Sequence, residues 1–170
     1  LFIKKDDKNK PSYNYYPETK KELKDLIKQL IKERGNEGNL NDIDTSKITD
    51  MSELFKYMQK FNGDISLWNV FNVKDMRYMF YMCESFNQTL EDWDVSNVTD
   101  MSGMFGSCKS FNQPLDKWDV SNVKNTEKMF YDCRSFNQPL NDWNVSNVTN
   151  MDYMFKWCKN FNQPLNDWNV

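Results

Sequence analysis

Residues 111–135 read FNQPLDKWDVSNVKNTEKMFYDCRS, and residues 136–160 repeat the pattern as FNQPLNDWNVSNVTNMDYMFKWCKN. The two stretches are identical at 14 of 25 positions. A spacing of 25 residues also relates five Phe, five Trp and five Val: Phe61, Phe86, Phe111, Phe136, Phe161; Trp68, Trp93, Trp118, Trp143, Trp168; Val70, Val95, Val120, Val145, Val170. A period between about 20 and 50 residues is typical of a solenoid, whose units bury their apolar faces against each other. The sequence therefore predicts a repeat scaffold.

Each unit contains two apolar patterns of different period. Between Leu115 and Val120, Trp118 and Val120 alternate with polar residues, which predicts a short strand with one buried face. Between Asp100 and Cys108, apolar residues fall at i, i+3, i+4 and i+7, which predicts one face of a short helix. An Asp or Asn that can cap this helix precedes it in every unit: Asp50, Asp75, Asp100, Asn125 and Asn150. The predicted fold is a right-handed α/β solenoid of strand-turn-helix units.

The chain divides at about residue 36. Residues 1–16 are rich in Lys and without periodicity, which predicts a flexible lead-in. Residues 17–35 have Thr19 as an N-cap and Leu and Ile at helical spacing, which predicts a helix that caps the repeats. A membrane-surface helix is the alternative, but the stretch lacks the Trp and Phe anchors of such helices. The repeat region follows, with units 36–60, 61–85, 86–110, 111–135 and 136–160 and a partial unit 161–170.

Composition argues against most enzyme classes. The 170 residues contain no His, which excludes Ser-His and Cys-His nucleophile pairs and an imidazole base. Only five Gly are present, and none forms a phosphate-binding loop. The acidic residues recur with the repeat, whereas an active site is expected to interrupt it at one place. We therefore expect no enzyme activity and no cofactor.

Charge and hydropathy limit the classes of partner. The net charge is −3, which gives no reason to expect nucleic acid binding. No apolar run approaches the roughly 18 residues needed to cross a bilayer, so no direct membrane span is expected.

Four cysteines occur at one position of successive units: Cys83, Cys108, Cys133 and Cys158. If each lies on a helix, neighbouring helices about 8–10 Å apart would hold the Cα atoms beyond the roughly 7 Å reach of a disulfide. No C-x-x-C spacing and no His accompany them, so a metal site is not expected either. We expect four buried free thiols.

The repeat resembles a known family. The Leu-x-x-Trp-x-Val segment, followed by Val-Thr and by Met-Phe-x-x-Cys-x-x-Phe-Asn, is similar to the BspA-like leucine-rich repeat of bacterial surface proteins, in its lipoprotein variant of unknown function. The resemblance covers about residues 17–170. It implies a leucine-rich-repeat-like solenoid, a location at the cell surface or in secretion, and a role in adhesion. It carries no catalytic residues.

Positions that vary between units are the best candidates for binding, because packing constrains the others. On the predicted strands the outward residues form a mainly acidic row with an apolar spot at Leu67 and Phe71. The candidate binding face is Leu67, Asn69, Phe71, Asp92, Asp94, Lys117, Asp119, Asp142, Asn144, Asp167 and Asn169.

This face predicts a non-enzymatic scaffold that binds an extracellular protein or glycan. A structural spacer without a ligand is the main alternative, and an acidic calcium-binding array is a third. The partial unit 161–170 leaves an uncapped end. We expect either that the chain is part of a longer array or that this end self-associates, most simply about a two-fold axis.

Overall fold

A computed structural model describes residues 12–170. The predicted lead-in over residues 1–16 therefore lies mostly outside the described residues. Its last part contacts the first unit: the N–H groups of Asn14 and Tyr15 donate to the Asp42 carbonyl at 2.8 and 3.2 Å, and Tyr15 forms a parallel bridge with Ile43.

Helix α1 spans Lys20–Arg34. It begins where the Thr19 hydroxyl accepts a hydrogen bond from the Glu22 N–H at 3.2 Å, and it ends at Gly35, whose φ of 81° turns the chain away. Three of its apolar residues, Leu23, Ile27 and Leu30, are fully buried in the cluster that continues into the first unit. The helix therefore covers the beginning of the repeats.

The predicted α/β solenoid of strand-turn-helix units is wrong. Within residues 12–170, α1 is the one helix and no extended strand is formed. Regular pairing is limited to six isolated parallel bridges, five of which join equivalent residues of adjacent units, as Asp75 joins Asp100. Each 25-residue unit is instead a succession of tight turns.

The predicted strand fails because its apolar residues are spaced by turns. The Trp118 N–H donates to the Leu115 carbonyl at 3.1 Å, and the Val123 N–H donates to the Val120 carbonyl at 2.9 Å. Each bond closes a four-residue turn and brings both of its apolar ends inward. Trp118 and Val120 are buried as expected, but between two turns and not on a strand.

The predicted helix fails because its backbone alternates in handedness. The N–H groups of Met104, Gly106 and Cys108 donate to carbonyls three residues earlier at 2.8–3.1 Å. Gly103 and Ser107 have φ of 60°, which interrupts a right-handed helix. The Asp100 carboxylate accepts from the Ser102 N–H at 2.9 Å, so it stabilises a turn of its own instead of a helix terminus.

The core consists of continuous columns of aromatic rings. Ring centroids of Phe80 and Phe105 lie 5.6 Å apart, those of Phe86 and Phe111 lie 6.0 Å apart, and Phe105 and Phe111 join the two columns at 4.2 Å. The indole N–H of Trp118 donates to the Leu90 carbonyl of the preceding unit at 2.9 Å. The same bond recurs at the four equivalent residues Trp68, Trp93, Trp143 and Trp168, so the large side chains connect neighbouring units.

Candidate functional site

The predicted binding face lies at the surface. All eleven residues are exposed, while the Trp and Val that alternate with them between residues 61 and 160, such as Trp93 and Val95, are buried. We call this set, Leu67, Asn69, Phe71, Asp92, Asp94, Lys117, Asp119, Asp142, Asn144, Asp167 and Asn169, the acidic face. The residues occupy the positions of Leu67, Asn69 and Phe71 and the equivalent positions of later units, and so form rows along the stack.

One row of the acidic face stabilises turns. The side-chain oxygens of Asn69, Asp94, Asp119 and Asn144 each accept a hydrogen bond from the N–H two residues later, at 3.0–3.2 Å. The bonds from Ser121 lower the pKa of the Asp119 carboxyl below its usual value. These four residues are therefore explained by local structure without any ligand.

The row that begins at Leu67 and continues with Asp92, Lys117, Asp142 and Asp167 makes fewer contacts within the protein. Lys117 pairs with Glu91 at 2.8 Å, and Asp167 accepts from the Asn141 amide. The carboxylates of Asp92 and Asp142 make no hydrogen bond or ion pair within residues 12–170. They are available for a partner.

An apolar pair interrupts the acidic face in one unit. Leu67 is 65% exposed and Phe71 is 50% exposed, while the later units carry Asp or Lys and Ser at these positions. Asn69 lies between them and accepts from the Phe71 N–H. The pair is the natural apolar anchor for a protein contact.

A second surface was missed by the sequence prediction. We call Lys56, Tyr57, Tyr78, Tyr81, Lys128, Tyr131, Tyr153, Lys156 and Trp157 the aromatic-lysine face. The Lys56 ammonium lies 5.2 and 5.0 Å from the rings of Tyr57 and Tyr78, and Lys156 lies 4.8 and 5.1 Å from Tyr153 and Trp157. Tyr57, Tyr153 and Trp157 are more than half exposed.

The two surfaces differ in charge. The acidic face lies on segments with eight Asp or Glu and one Lys: 64–72, 89–97, 114–122, 139–147 and 164–170. The aromatic-lysine face lies on segments with eight Lys or Arg and five Asp or Glu: 52–60, 77–85, 102–110, 127–135 and 152–160. The chain therefore offers one acidic and one mildly basic surface.

The thiols are free, and Cys83, Cys108 and Cys133 are buried as expected, whereas Cys158 is only partly buried. Each Sγ donates to the Phe carbonyl 28 residues earlier, as Cys108 does to Phe80 at 3.0 Å. Burial raises the pKa of Cys83 to about 12 and of Cys158 to about 11. The helix spacing used to predict free thiols is wrong, since no helices carry them; their bonds to backbone carbonyls direct the sulfur atoms instead.

Neither a metal site nor a membrane-spanning helix is found in the described residues. Residues 12–170 contain no group of three or more Cys, Asp or Glu placed to hold a metal ion. In the same range, no helix combines the length and the apolar character needed to cross a membrane.

Comparison with known proteins identifies a family of unknown function. Searches of curated proteins and of solved structures returned no match. Residues 22–135 and 89–170 match the model of the family described as Mycoplasma protein of unknown function, DUF285. The two matches together cover residues 22–170, and the chain belongs to the DUF285 family.

Proposed function

We propose that this chain is a non-enzymatic scaffold whose acidic face binds a protein or glycan. The observation that carries the proposal is the contrast between buried and exposed positions. From residue 61 onward, every equivalent of Trp118 is Trp, whereas the neighbouring exposed position is Leu67, Asp92, Lys117, Asp142 and Asp167 in turn. Packing explains the invariant position, and the variable one is free to serve recognition.

The composition of the acidic face favours a partner with basic groups. Leu67 and Phe71 offer exposed apolar area, and Asp92 is an unpaired carboxylate on the next unit. An apolar contact surrounded by charge is the usual anatomy of a protein interface. The arrangement therefore favours a protein partner over a neutral glycan.

A location at the cell surface or in secretion is part of the proposal. It rests on the resemblance to BspA-like repeats, which stays a prediction.

A spacer without a ligand is the second candidate. It is favoured by the turn-stabilising row, since Asn69, Asp94, Asp119 and Asn144 recur for structural reasons alone. The two candidate functions differ in the role of Leu67, Phe71, Asp92 and Asp142, which would contact a partner in a binding scaffold and only solvent in a spacer.

Binding to arrays of extracellular proteins and of glycans distinguishes the candidates. We expect one class of partner to bind the wild-type chain and to lose at least about tenfold in affinity with Leu67→Asp/Phe71→Asp or with Asp92→Lys/Asp142→Lys. Neither variant touches the turn-stabilising row, so the melting temperature should be retained.

The matched control is Glu37→Lys/Asp152→Lys, which changes net charge equally at two exposed positions outside the acidic face. Equal loss in the control would show a nonspecific charge effect. Absence of any partner on both arrays would favour the spacer.

A further inference from the structure

The acidic face and the aromatic-lysine face lie on opposite sides of the stack. Phe105 belongs to segment 102–110 of the aromatic-lysine face and Trp118 to segment 114–122 of the acidic face, and their ring centroids lie 6.2 Å apart in the core. The same contact recurs in the units on either side. Because the two segments direct buried rings towards each other, their exposed residues point in opposite directions. Each copy of the chain can therefore contact one neighbour on each side.

Charge alternates from unit to unit along the aromatic-lysine face. Segments 52–60 and 152–160 each contain two Lys and one acidic residue, and segment 102–110 contains one Lys and no acidic residue. Segments 77–85 and 127–135 contain basic and acidic residues in equal number. The face is therefore positive in the first, third and fifth units and neutral in the second and fourth.

The acidic face has the matching alternation in the row that begins at Leu67. The third and fifth units carry Asp92 and Asp142, whose carboxylates make no hydrogen bond or ion pair within residues 12–170. The second and fourth units carry Leu67 and Lys117 instead. The unpaired carboxylates are thus two units apart, which is also the interval between the positive segments of the opposite face.

The second unit carries apolar side chains on both faces. On the acidic face, Leu67 is 65% exposed and Phe71 is 50% exposed. On the aromatic-lysine face, the rings of Tyr78 and Tyr81 are partly exposed, and their centroids lie 5.4 Å apart. Apolar and aromatic side chains surrounded by charge are typical of the centre of a protein interface. Two stacks that lie side by side in the same direction bring these four residues together.

We propose that the acidic face of one copy binds the aromatic-lysine face of a second copy, with the two stacks parallel and equivalent units opposite each other. The inference rests on the proposed function of the acidic face as a binding surface and names its partner. In this arrangement Asp92 faces the positive segment 102–110, and Asp142 faces the positive segment 152–160. The apolar pair of the second unit faces the tyrosines.

The period of the repeat favours a second copy over an unrelated basic protein. Rings of equivalent Phe in successive units lie 5.6–5.7 Å apart, as in the column of Phe80, Phe105 and Phe130. A second copy has the same spacing, so its charges stay in register with those of the first copy over all units. The contact uses the sides of the stack, so it is independent of the self-association predicted for the partial unit 161–170.

The contact joins two different surfaces, so a pair of copies still has one free face of each kind. Such a heterologous contact continues beyond the dimer. Its electrostatic part is screened by salt. In light scattering on the 170-residue chain, we expect the mean mass to exceed that of a dimer as concentration rises at about 50 mM salt, and to fall at about 500 mM salt.

Exchange of charge between the faces gives the sharpest test. Asp92→Lys/Asp142→Lys reverses the acidic face, and Lys109→Glu/Lys159→Glu reverses the aromatic-lysine face. Each variant should associate at least about tenfold more weakly than the wild type, because like charges then face each other. The variant with all four substitutions has the wild-type net charge and complementary faces, so association should be restored.

The matched control places the compensating charges outside both faces. Lys74 and Lys124 are exposed, make no ion pair within residues 12–170 and are two units apart, like the residues that they replace in the test. Asp92→Lys/Asp142→Lys combined with Lys74→Glu/Lys124→Glu also has the wild-type net charge. Association should not be restored in this variant.

A smaller exchange avoids any loss of folding at Lys109, which pairs with Glu84 at 2.8 Å. Asp142 and Lys159 are exposed and make no ion pair within the described part of the chain. Asp142→Lys and Lys159→Glu should each weaken association alone and restore it together. The melting temperature of every variant shows whether it is folded.

Four outcomes would overturn the inference. They are a monomer at every concentration and salt, a mass that stops at the dimer, undiminished association of Asp92→Lys/Asp142→Lys, and equal restoration by the control at Lys74 and Lys124. Binding on the protein and glycan arrays, measured at a concentration where the chain is monomeric, tests the proposed function separately. An array partner without self-association would overturn this inference alone, whereas self-association without an array partner would support it.

Discussion

The stacked units and the junction with α1 are stabilised by different forces. Between units 61–160, ring columns and backbone hydrogen bonds join equivalent residues, as in the pair Phe105 and Phe130 at 5.7 Å. At the junction, the apolar face of α1 is accompanied by ion pairs, Lys20 with Asp50 at 3.1 Å and Arg34 with Asp42 at 2.8 Å. The stack thus depends on packing, and the junction adds charge.

This difference predicts different sensitivities. Apolar contacts and neutral hydrogen bonds do not change with proton concentration, whereas a carboxylate in an ion pair does. Substitutions of buried apolar residues in the stack should act equally at any pH, and those of the ion pairs at the junction should act only where the carboxylates are ionised.

The largest effect is expected in the stack. Trp118→Ala removes a buried ring and its bond to the Leu90 carbonyl, and should lower the free energy of unfolding by about 3–5 kcal/mol. Lys117→Ala, on an exposed neighbour, should cost less than about 0.5 kcal/mol. Denaturant unfolding measures both, and similar losses would contradict the assignment of Trp118 to the core.

A Gly→Ala substitution compares the two regions directly. Gly103 has φ of 60°, where Ala strains the backbone by about 1–2 kcal/mol. Gly35 has φ of 81° and ψ of 175°, a region that is essentially limited to Gly, where the strain is about 1–3 kcal/mol. A Cβ at Gly103 would also lie 2.3 Å from the Tyr78 ring, whereas one at Gly35 meets nothing within 4 Å. We expect overlap with Tyr78 to add an excess of about 1 kcal/mol to the backbone cost of Gly103→Ala, whereas Gly35→Ala should show the backbone cost alone.

The excess should disappear when the ring is removed. Relative to Tyr78→Ala, the double variant Tyr78→Ala/Gly103→Ala should show only the backbone cost. An excess that survives in the double variant would show that the ring is not its cause.

The smallest effect is expected at the junction and depends on pH. The guanidinium of Arg34 lowers the pKa of Asp42 from 3.8 to about 2. A carboxyl whose pKa is lower in the folded state stabilises the fold above the unfolded value and loses that contribution as the pH falls towards 2. Asp42→Asn should therefore cost about 1 kcal/mol at pH 7, a figure that allows for solvent screening of this partly exposed pair.

Near pH 2 the Asp42→Asn variant and the wild type should have nearly the same free energy of unfolding. Asp92→Asn is the control, because Asp92 has no ion-pair partner in residues 12–170, and it should have little effect at either pH. A difference at Asp42 that persists at pH 2 would assign the effect to packing.

The positions of the core residues follow from the sequence spacing, but the backbone between them does not. Burial of Trp118, Val120 and Phe105 needs only that equivalent residues meet every 25 positions. Four-residue turns place apolar side chains at nearly the same intervals as a helix. The pattern from Met101 to Cys108 therefore predicts a helix that does not form. The left-handed residues include Tyr78 and Lys128, whose types give no signal for positive φ.

The same cause hid one surface. Polar residues between Trp and Val predict an exposed row, so the acidic face could be located from the sequence. Tyr57 and Trp157 belong to no position that the sequence pattern marks as exposed, so the sequence does not predict the aromatic-lysine face. Their positive φ turns these side chains outward, which no periodicity of 2 or 3.6 anticipates.

The position of the four thiols has a consequence for following local opening. Each unit from 61 to 160 contains one Cys, bonded to a carbonyl of the preceding unit, and burial raises the pKa of each. A thiol reagent that attacks the thiolate therefore reacts with a unit only after that unit separates from its neighbour. Labelling rates at Cys83, Cys108, Cys133 and Cys158 would give the order in which the units open, since each unit contains one reporter thiol.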